Sequence, residues 1–250
     1  MELLARDVLL GFGFRWLHVL VGIAWIGLLY YFNFVQVPGL AAYGDEGKAR
    51  NITIHQIARR ALWWFRWAAI ATLVTGLLIT GQTNYWLDFM NGSDVGHDVA
   101  ISVGMVIATL MAANVWMVIW KNQKVVLANA VNVLEGKDAD PGAATAGRRA
   151  LLVSRQNMIF SVSMLWFMVG SAHFYDVFSK GLVDDSTAAW IYFGVSMAIV
   201  AVFQLNALGL FGGIKAGNPL LVIYENHRNA IITSFVLWAV LWILSEVMLG

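Results

Sequence analysis

Residues 8–33 read VLLGFGFRWLHVLVGIAWIGLLYYFN, an apolar run in which the basic side chains are Arg15 and His18. A helix needs about 20 mostly apolar residues to cross the hydrocarbon core of a bilayer. Five further stretches meet this requirement, at about residues 61–81, 99–120, 157–177, 187–212 and 229–248. The sequence therefore predicts an all-α polytopic membrane bundle of about six transmembrane helices.

The composition of the whole chain is that of a membrane protein. Of the 250 residues, 60% are hydrophobic and 12% are charged, whereas about 25% of the residues of an ordinary soluble domain are charged. No polar block is long enough to form a separate globular unit, so residues 1–250 are expected to form a single transmembrane domain. The first ten residues lack the basic segment of a signal peptide, and we expect a retained first helix.

Lysine and arginine are distributed unequally between the two sides of the predicted bundle. Thirteen lie in or beside the connections after the first, third and fifth helices, and three lie on the opposite side. Connections rich in Lys and Arg stay on the cytoplasmic side of a membrane. We therefore expect both termini to lie outside, in a multi-pass protein of the bacterial inner (plasma) membrane that contacts the lipid bilayer directly.

The net charge and the absence of cysteine exclude several classes of function. With a formal net charge of +1, the chain has no basic excess to neutralise phosphates, so we expect no nucleic-acid partner. Without cysteine it cannot hold a disulfide, a thiolate metal site, an iron–sulfur cluster or a covalently attached c-type haem. A redox centre in this chain would therefore need histidine, methionine or carboxylate ligands.

A stripe of small and polar residues follows one face of the first predicted helix. Its members recur every three or four residues: Gly11, Arg15, His18, Gly22 and Trp25. Such spacing places side chains on a common face, and charged groups inside a membrane are costly unless they find partners in the protein interior. Two interpretations stay open. One is a haem pocket with His18 as iron ligand and Arg15 paired with a propionate; the other is a helix-packing seam with a hydrogen-bonded histidine.

The fourth predicted helix carries a similar stripe: Ser163, Trp166, Gly170 and His173. His173 lies near the outer end of this helix, and His18 lies about ten residues into the first, so the outer half of the membrane suits both. Neutral imidazoles on two helices, small neighbours and an apolar wall are what a b-type haem requires. We therefore predict that His18 and His173 ligate the iron of one haem b.

Two further histidines lie at the inner ends of their helices. His55 precedes the second helix and His227 opens the sixth. They are candidate ligands of a second haem, so one haem or two are expected. Interfacial histidines flanked by charges are commonly solvated helix ends, and this alternative stays open for both. His97, at the start of the third helix, is a candidate helix cap or outer-surface ligand, and we favour the cap.

Amide side chains inside the predicted helices also have two interpretations. Asn114 lies in the third helix and Gln204 in the fifth. Such residues commonly hydrogen-bond across neighbouring membrane helices and hold them together. The alternative is that they line a path for a quinone or another small molecule, and we favour the first interpretation.

Several stretches resemble a known family, the membrane domain of the bacterial cytochrome-c-linked urate oxidase (urate hydroxylase). They are Arg15-Trp-Leu-His-Val-Leu-Val-Gly-Ile-Ala-Trp-Ile-Gly27, His55, Trp63-Trp-Phe-Arg-Trp67 with Thr75-Gly76, Ala112-Ala-Asn-Val-Trp116 with Asn122-Gln123, and Ser154-Arg-Gln-Asn157 followed by His173. The resemblance runs in order over most of the first 175 residues. It carries His18, His55 and His173 over as site positions and assigns no catalytic base.

The resemblance implies oxidation of urate at the membrane domain, coupled to a c-type cytochrome fused at the C-terminus. No cytochrome segment follows the sixth apolar stretch here, so we expect electrons to pass to a separate cytochrome c or to other membrane subunits. The first hypothesis is a membrane b-type cytochrome-like redox protein, with urate or a related small molecule as electron donor. The alternative is a haem-free accessory or structural subunit of a larger membrane complex. A transporter has less support, because neither a repeat nor a broken-helix signature is visible.

Overall fold

The computed structural model describes residues 6–83, 95–175 and 186–249, and every regular element in these ranges is a helix. Six helical stretches are long and apolar enough to cross a membrane: Leu10–Ala42, Gly47–Gly81, Gly96–Leu134, Ala143–Tyr175, Thr187–Ala207 and His227–Leu249. We call them spans 1 to 6 in chain order. The all-α fold and the six predicted membrane helices are confirmed, and residues 1–5 lie outside the described ranges.

The spans consist of α-helices, some of them joined by single π-helical turns. The α-helices are Arg6–Tyr31, Val37–Ala42, Gly47–Thr53, Arg59–Thr83, Val95–Ala113, Trp120–Leu134, Ala143–Gly170, Ser186–Ala207, Val222–Glu225 and His227–Leu249. The π-helical segments are Phe32–Gln36, Ile54–Ala58, Asn114–Ile119 and Ser171–Tyr175. Such segments are rare and occur often at functional sites. Three of the four contain a candidate residue from the sequence: His55, Asn114 and His173.

Span 4 lies at the centre of the bundle and contacts spans 1, 3, 5 and 6. It is the most deeply buried of the six, whereas spans 5 and 6 are the least buried. Span 1 packs mainly against span 2. Consecutive spans alternate in direction, so the bundle has two ends. We call the end with connections 43–46, 135–142 and 208–226 the basic end, and the other, where span 6 finishes, the terminal end.

Close packing between spans 3 and 4 depends on Gly104. A Cβ atom at this position would lie 3.2 Å from the backbone nitrogen of Met168 and 3.3 Å from Cβ of Phe167. Membrane helices gain little from a hydrophobic force between them, so small residues that permit close approach stabilise their association. Gly104 therefore fixes how closely span 3 approaches the central span.

A network of amide side chains joins spans 3, 4 and 5. Nδ2 of Asn114 donates to Oδ1 of Asn157 at 2.8 Å and to Oε1 of Gln204 at 2.9 Å. Nε2 of Gln204 donates back to Oδ1 of Asn114 at 2.7 Å, and Asn157 donates to the carbonyl oxygen of Met111. The interpretation of Asn114 and Gln204 as links between helices is thus confirmed.

Candidate functional site

His18 is held between spans 1 and 2 by a directed hydrogen bond. Its Nδ1 lies 3.0 Å from Oγ1 of Thr75. The hydroxyl of Thr75 donates its single proton to backbone carbonyl oxygens, with Ala71 at 2.7 Å and Thr72 at 3.0 Å. With the Thr75 proton on these carbonyl oxygens, Thr75 accepts from His18, and Nδ1 carries the proton of the neutral imidazole. The other ring nitrogen, Nε2, is then the unprotonated one.

The ring of His18 lies directly over Gly76. A Cβ atom at position 76 would be 3.3 Å from Cε1 of His18, and a Cβ atom at Gly22 would touch the methyl group of Thr72 at 4.0 Å. The stripe on span 1 is therefore a packing surface against span 2. A histidine fixed through Nδ1, with Nε2 unprotonated, also has the arrangement of most metal-ligating histidines. The geometry of His18 is compatible with both interpretations drawn from the sequence.

Arg15 lies one turn closer to the terminal end than His18. Its side chain is exposed, and its Nη1 donates to the carbonyl oxygen of Gly11 in the same helix at 3.4 Å. No hydrogen bond or ion pair links Arg15 to another span within the described residues. Its guanidinium is therefore open to an external anion.

His173 lies on the surface of span 4, in the π-helical segment at the terminal end. Its exposed side chain borders an apolar groove of about 480 Å³ between spans 4 and 6. The other groove residues are Val162, Leu165, Trp166, Val169, Gly170, Phe174, Phe235 and Trp238. His173 is thus the one titratable side chain of this groove, among its described residues.

The wall of the groove is rich in aromatic rings. The ring centroid of Trp166 lies 5.2 Å from that of Trp238 and 5.3 Å from that of Phe174. Trp238 in turn stacks on Trp242 with an angle of 8° between the rings. The indole N–H of Trp238 is buried without an acceptor, whereas Trp166 interacts with the hydroxyl of Tyr175. Unsatisfied buried donors are rare in native proteins, and a bound molecule with hydrogen-bond acceptors would remedy them.

His18 and His173 lie at similar depth in the bundle. Spans 1 and 4 are antiparallel and meet where the hydroxyls of Tyr30 and Ser161 are 2.8 Å apart. His18 precedes Tyr30 by twelve residues, and His173 follows Ser161 by twelve, both through continuous helix. Both imidazoles therefore lie about 18 Å from this contact toward the terminal end.

The two imidazoles face different neighbours at this depth. His18 packs against Thr75 and Gly76 of span 2, whereas His173 borders the groove toward span 6. No hydrogen bond or ring contact between the described residues joins His18 to His173. The structure brings the two to the same level of the bundle, on separate faces.

The predicted second pair, His55 and His227, lies at the basic end. Nδ1 of His55 is buried and has no hydrogen-bond partner. The ring of His227 is exposed and lies 6.4 Å from the ring of Phe34, centroid to centroid. Within the described ranges, no hydrogen bond, ion pair or ring contact links these two histidines.

His97 lies in the first turn of the helix that begins at Val95. Its Nδ1 is 2.9 Å from Oδ1 of Asp98, whose carboxylate is almost completely buried while Oδ2 has no hydrogen-bond partner. A carboxylate in the first turn is favoured by the partial positive charge of the helix N-terminus. The sequence favoured a capping role for His97 and did not predict its pairing with Asp98.

Sequence reasoning missed an interaction between a cation and aromatic rings at the span 2–span 3 interface. The guanidinium carbon of Arg66 lies 3.8 Å from the ring centroid of Trp120 and 5.8 Å from that of Trp116. Nε1 of Trp116 donates to the carbonyl oxygen of Arg66 at 3.0 Å. A cation over an indole face is stabilised by the ring quadrupole. Both Arg66 and Trp116 lie in stretches that carried the family resemblance.

A polar clamp at the basic end ties the connection 208–226 to span 4. Arg148 donates through both Nη atoms to the two carboxylate oxygens of Glu225, and through Nε to the carbonyl oxygen of Ile214. Buried Arg155 donates to the carbonyl oxygen of Tyr224. The hydrogen bonds from Arg148 hold the pKa of Glu225 below its ordinary value, and burial raises the pKa of Tyr224.

A family model described as urate oxidase N-terminal matches residues 93–208 of this chain. These 116 of the 250 residues include spans 3, 4 and 5, and with them His173 and the Asn114–Asn157–Gln204 network. The match supports a relationship to a urate oxidase-related family. No curated protein matches the chain, and no solved structure matches it.

Proposed function

We propose that the protein is a membrane redox protein related to the urate oxidases, which holds a haem b at the terminal end. It would pass electrons to a separate cytochrome c or to another membrane subunit. The observation that carries the proposal is the position of His173, which lies within the range matched by the family model and borders an aromatic groove. His18 lies at the same depth and keeps an unprotonated ring nitrogen.

The groove beside His173 suits a flat apolar cofactor. It has a volume of about 480 Å³, its walls are apolar and aromatic, and Gly170 contributes no side chain to it. A bound haem b supplies one-electron redox chemistry, while the protein sets its ligation, orientation and exclusion of water. Trp166 and Trp238 would supply the dry wall, and His173 the imidazole ligand.

His18 is the candidate for a second imidazole ligand. Donation from Nδ1 to Thr75 fixes the ring and increases the basicity of Nε2, as outer hydrogen bonds do for metal-bound histidines. Arg15 lies one turn nearer the terminal end, and its exposed guanidinium is suited to pair with a carboxylate of the cofactor. A haem in the groove between spans 4 and 6 would take only His173 of this pair, because His18 faces span 2; ligation by both histidines would require a site between spans 1 and 4.

The electron donor in this proposal is urate or a related small molecule. The support is the match of residues 93–208 to the urate oxidase N-terminal model. The purified protein, mixed with urate and a soluble cytochrome c, is expected to reduce the cytochrome in a urate-dependent manner. Absence of urate-dependent reduction by haem-loaded protein would remove urate from the proposal and leave the redox role standing.

The haem assignment is tested by the reduced-minus-oxidised absorption spectrum of the purified protein and by its haem content. We expect a haem b band, which His173→Ala abolishes and His18→Ala abolishes or shifts. His227→Ala is the matched control for a haem at the terminal end. His227 is exposed at the basic end, so its loss should leave the band of that haem unchanged. A preparation without any haem b band, or with an unchanged band in both variants, would overturn the assignment.

One observation favours the alternative of a haem-free accessory subunit. His18 already has a hydrogen-bond partner in Thr75 and fills the space over Gly76. A packing role explains these contacts without a cofactor. In that case His18→Ala would lower thermal stability in detergent while the spectrum of the wild-type protein showed no haem, and the protein would co-purify with larger membrane subunits.

A further inference from the structure

A second groove lies at the basic end of the bundle, where spans 3, 4 and 5 meet. Its volume is about 210 Å³. Polar side chains form its rim, and apolar ones form its floor: Lys121, Asn122 and Arg149 above Met117, Val153 and Leu208. The groove is remote from His173, which lies at the terminal end of span 4.

The two cations on the rim have no partner among the residues that the structure describes. Lys121 and Arg149 are exposed and form no hydrogen bond or ion pair with residues 6–83, 95–175 or 186–249. The neighbouring arginines of span 4 differ, since Arg148 is paired with Glu225 and Arg155 with a backbone carbonyl. The described lining of the groove contains no Asp or Glu. No described side chain therefore compensates its two positive charges.

The rim lies at the depth of lipid head groups. Lys121 is 26 residues from Val95, where the helix of span 3 begins, and Arg149 is 26 residues from Tyr175, where span 4 ends. At 1.5 Å per residue both lie about 39 Å from the terminal end, beyond a hydrocarbon core of about 30 Å. Met117 and Val153 lie one turn deeper, where acyl chains begin.

The floor of the groove is open to lipid. The side chain of Met117 is 71% exposed and that of Leu208 is 46% exposed, so an acyl chain can lie against both. Long basic side chains at helix ends extend toward the interface while their methylene groups cover apolar surface. The groove thus combines paired cations at head-group depth with an apolar surface directly beneath them.

We propose that this groove binds an anionic phospholipid, with Lys121 and Arg149 on the phosphate and the acyl chain along Met117 and Leu208. Basic pockets between transmembrane helices recognise anionic head groups in this manner. Because residues of three spans meet here, a bound lipid would join spans 3, 4 and 5 at the end opposite the redox site proposed above.

The test compares lipid binding by the wild-type protein with binding by the double variant Lys121→Gln/Arg149→Gln. Native mass spectrometry in detergent, with added phosphatidylglycerol, gives the number of bound lipids and the apparent Kd. Each basic residue near an anionic membrane contributes roughly fivefold, so we expect affinity to fall by about 30-fold. Lys48→Gln/Arg50→Gln is the matched control, because both residues are exposed near the basic end and neither lines the groove.

Three results would overturn the proposal. Unchanged phosphatidylglycerol binding by the double variant, or equal loss in the control, would assign binding to general surface charge. If phosphatidylcholine bound with the same affinity as phosphatidylglycerol, Lys121 and Arg149 would not be recognising an anionic head group. If inorganic phosphate displaced the lipid at a concentration similar to that of the lipid, the groove would be a site for a free anion rather than for a phospholipid. The charge-preserving variant Lys121→Arg/Arg149→Lys should fold and bind, which separates loss of charge from loss of structure.

Discussion

The imidazole of His18 and the hydroxyl of Thr75 are joined by a hydrogen bond of 3.0 Å across spans 1 and 2. When the Thr75 proton is directed to the backbone of its own helix, Nδ1 of His18 is the donor in this bond and Nε2 is the unprotonated nitrogen. In this tautomer, Nε2 offers its lone pair to a metal ion or to a hydrogen-bond donor. Two residues of span 2, Thr75 and Gly76, contact this ring.

Thr75→Val replaces the hydroxyl by a methyl group of the same shape and leaves Nδ1–H of His18 without its acceptor. A buried donor that loses its partner destabilises a protein by about 1–3 kcal/mol, so we expect a lower unfolding temperature in detergent. If His18 is a haem ligand, the midpoint potential of the haem should shift as well. Thr109→Val is the control, because Thr109 is exposed and bonds only to Met105 of its own helix. Equal effects of both substitutions would show that the contact with His18 is unimportant.

Gly76→Ala tests the close contact between the ring of His18 and the backbone of span 2. The new methyl group would be 3.3 Å from Cε1 of His18, so the ring must move away from span 2. We expect lower thermal stability and a weaker or shifted haem band. Gly81→Ala in the same helix has no neighbouring atom within 4 Å and should be neutral or slightly stabilising, since alanine favours helix over glycine by about 1 kcal/mol. A Gly76→Ala variant as stable as Gly81→Ala would contradict the close contact.

The amide network between spans 3 and 5 predicts coupling between Asn114 and Gln204. A double-mutant cycle with Asn114→Ala and Gln204→Ala should give an interaction energy of about 0.6–1.7 kcal/mol, the range for hydrogen bonds between membrane helices. Unfolding by a denaturing detergent measures it. Ser234→Ala, which removes a bond to Ile231 of its own helix, should show no coupling with Asn114→Ala. Additive losses for the first pair would refute the network.

Hydropathy identified the six spans but not where their helices end. The third stretch was predicted to finish near residue 120, yet helix continues through Trp120–Leu134. It stops at Gly136, whose φ of +74° favours glycine. Span 5 likewise ends at Ala207 rather than near residue 212, just before Gly209 with φ +87°. A high hydropathy marks the part of a helix that lies inside the membrane. The helix itself can extend beyond that part, and it ends where backbone hydrogen bonding stops, often at a glycine.

The candidate site was predictable only in part. Depth followed from residue counting, because His18 and His173 lie in long regular helices. The residues that contact each imidazole could not be predicted, because a sequence pattern does not show which helix packs on which face of another. Span 1 turned out to pack mainly on span 2, so His18 meets Thr75. The pairing of Glu225 with Arg148 could not be predicted either, because the two residues are 77 apart in the sequence.

The pairing of Arg148 with Glu225 predicts a dependence of stability on pH. The carboxylate lies in the connection between spans 5 and 6, and hydrogen bonds from Arg148 lower its pKa in the folded protein from the ordinary value of 4.5. Since the folded pKa lies below the unfolded one, the unfolded state binds more protons as the pH falls. Stabilisation by this carboxylate is therefore complete above about pH 5 and is lost as the pH falls through the folded pKa.

Glu225→Gln should accordingly destabilise the protein at pH 7 by up to about 1 kcal/mol, because it removes a partly exposed ion pair with Arg148. The gap between wild type and variant should narrow as the pH falls below 4.5, since the wild-type carboxylate then also becomes neutral. Thermal unfolding in detergent at pH 7, 5 and 3.5 measures both effects. Asp45→Asn, which neutralises an exposed carboxylate at the same end, should leave the curve almost unchanged. A constant gap between Glu225→Gln and wild type across this range would mean that the carboxylate's charge does not stabilise the clamp.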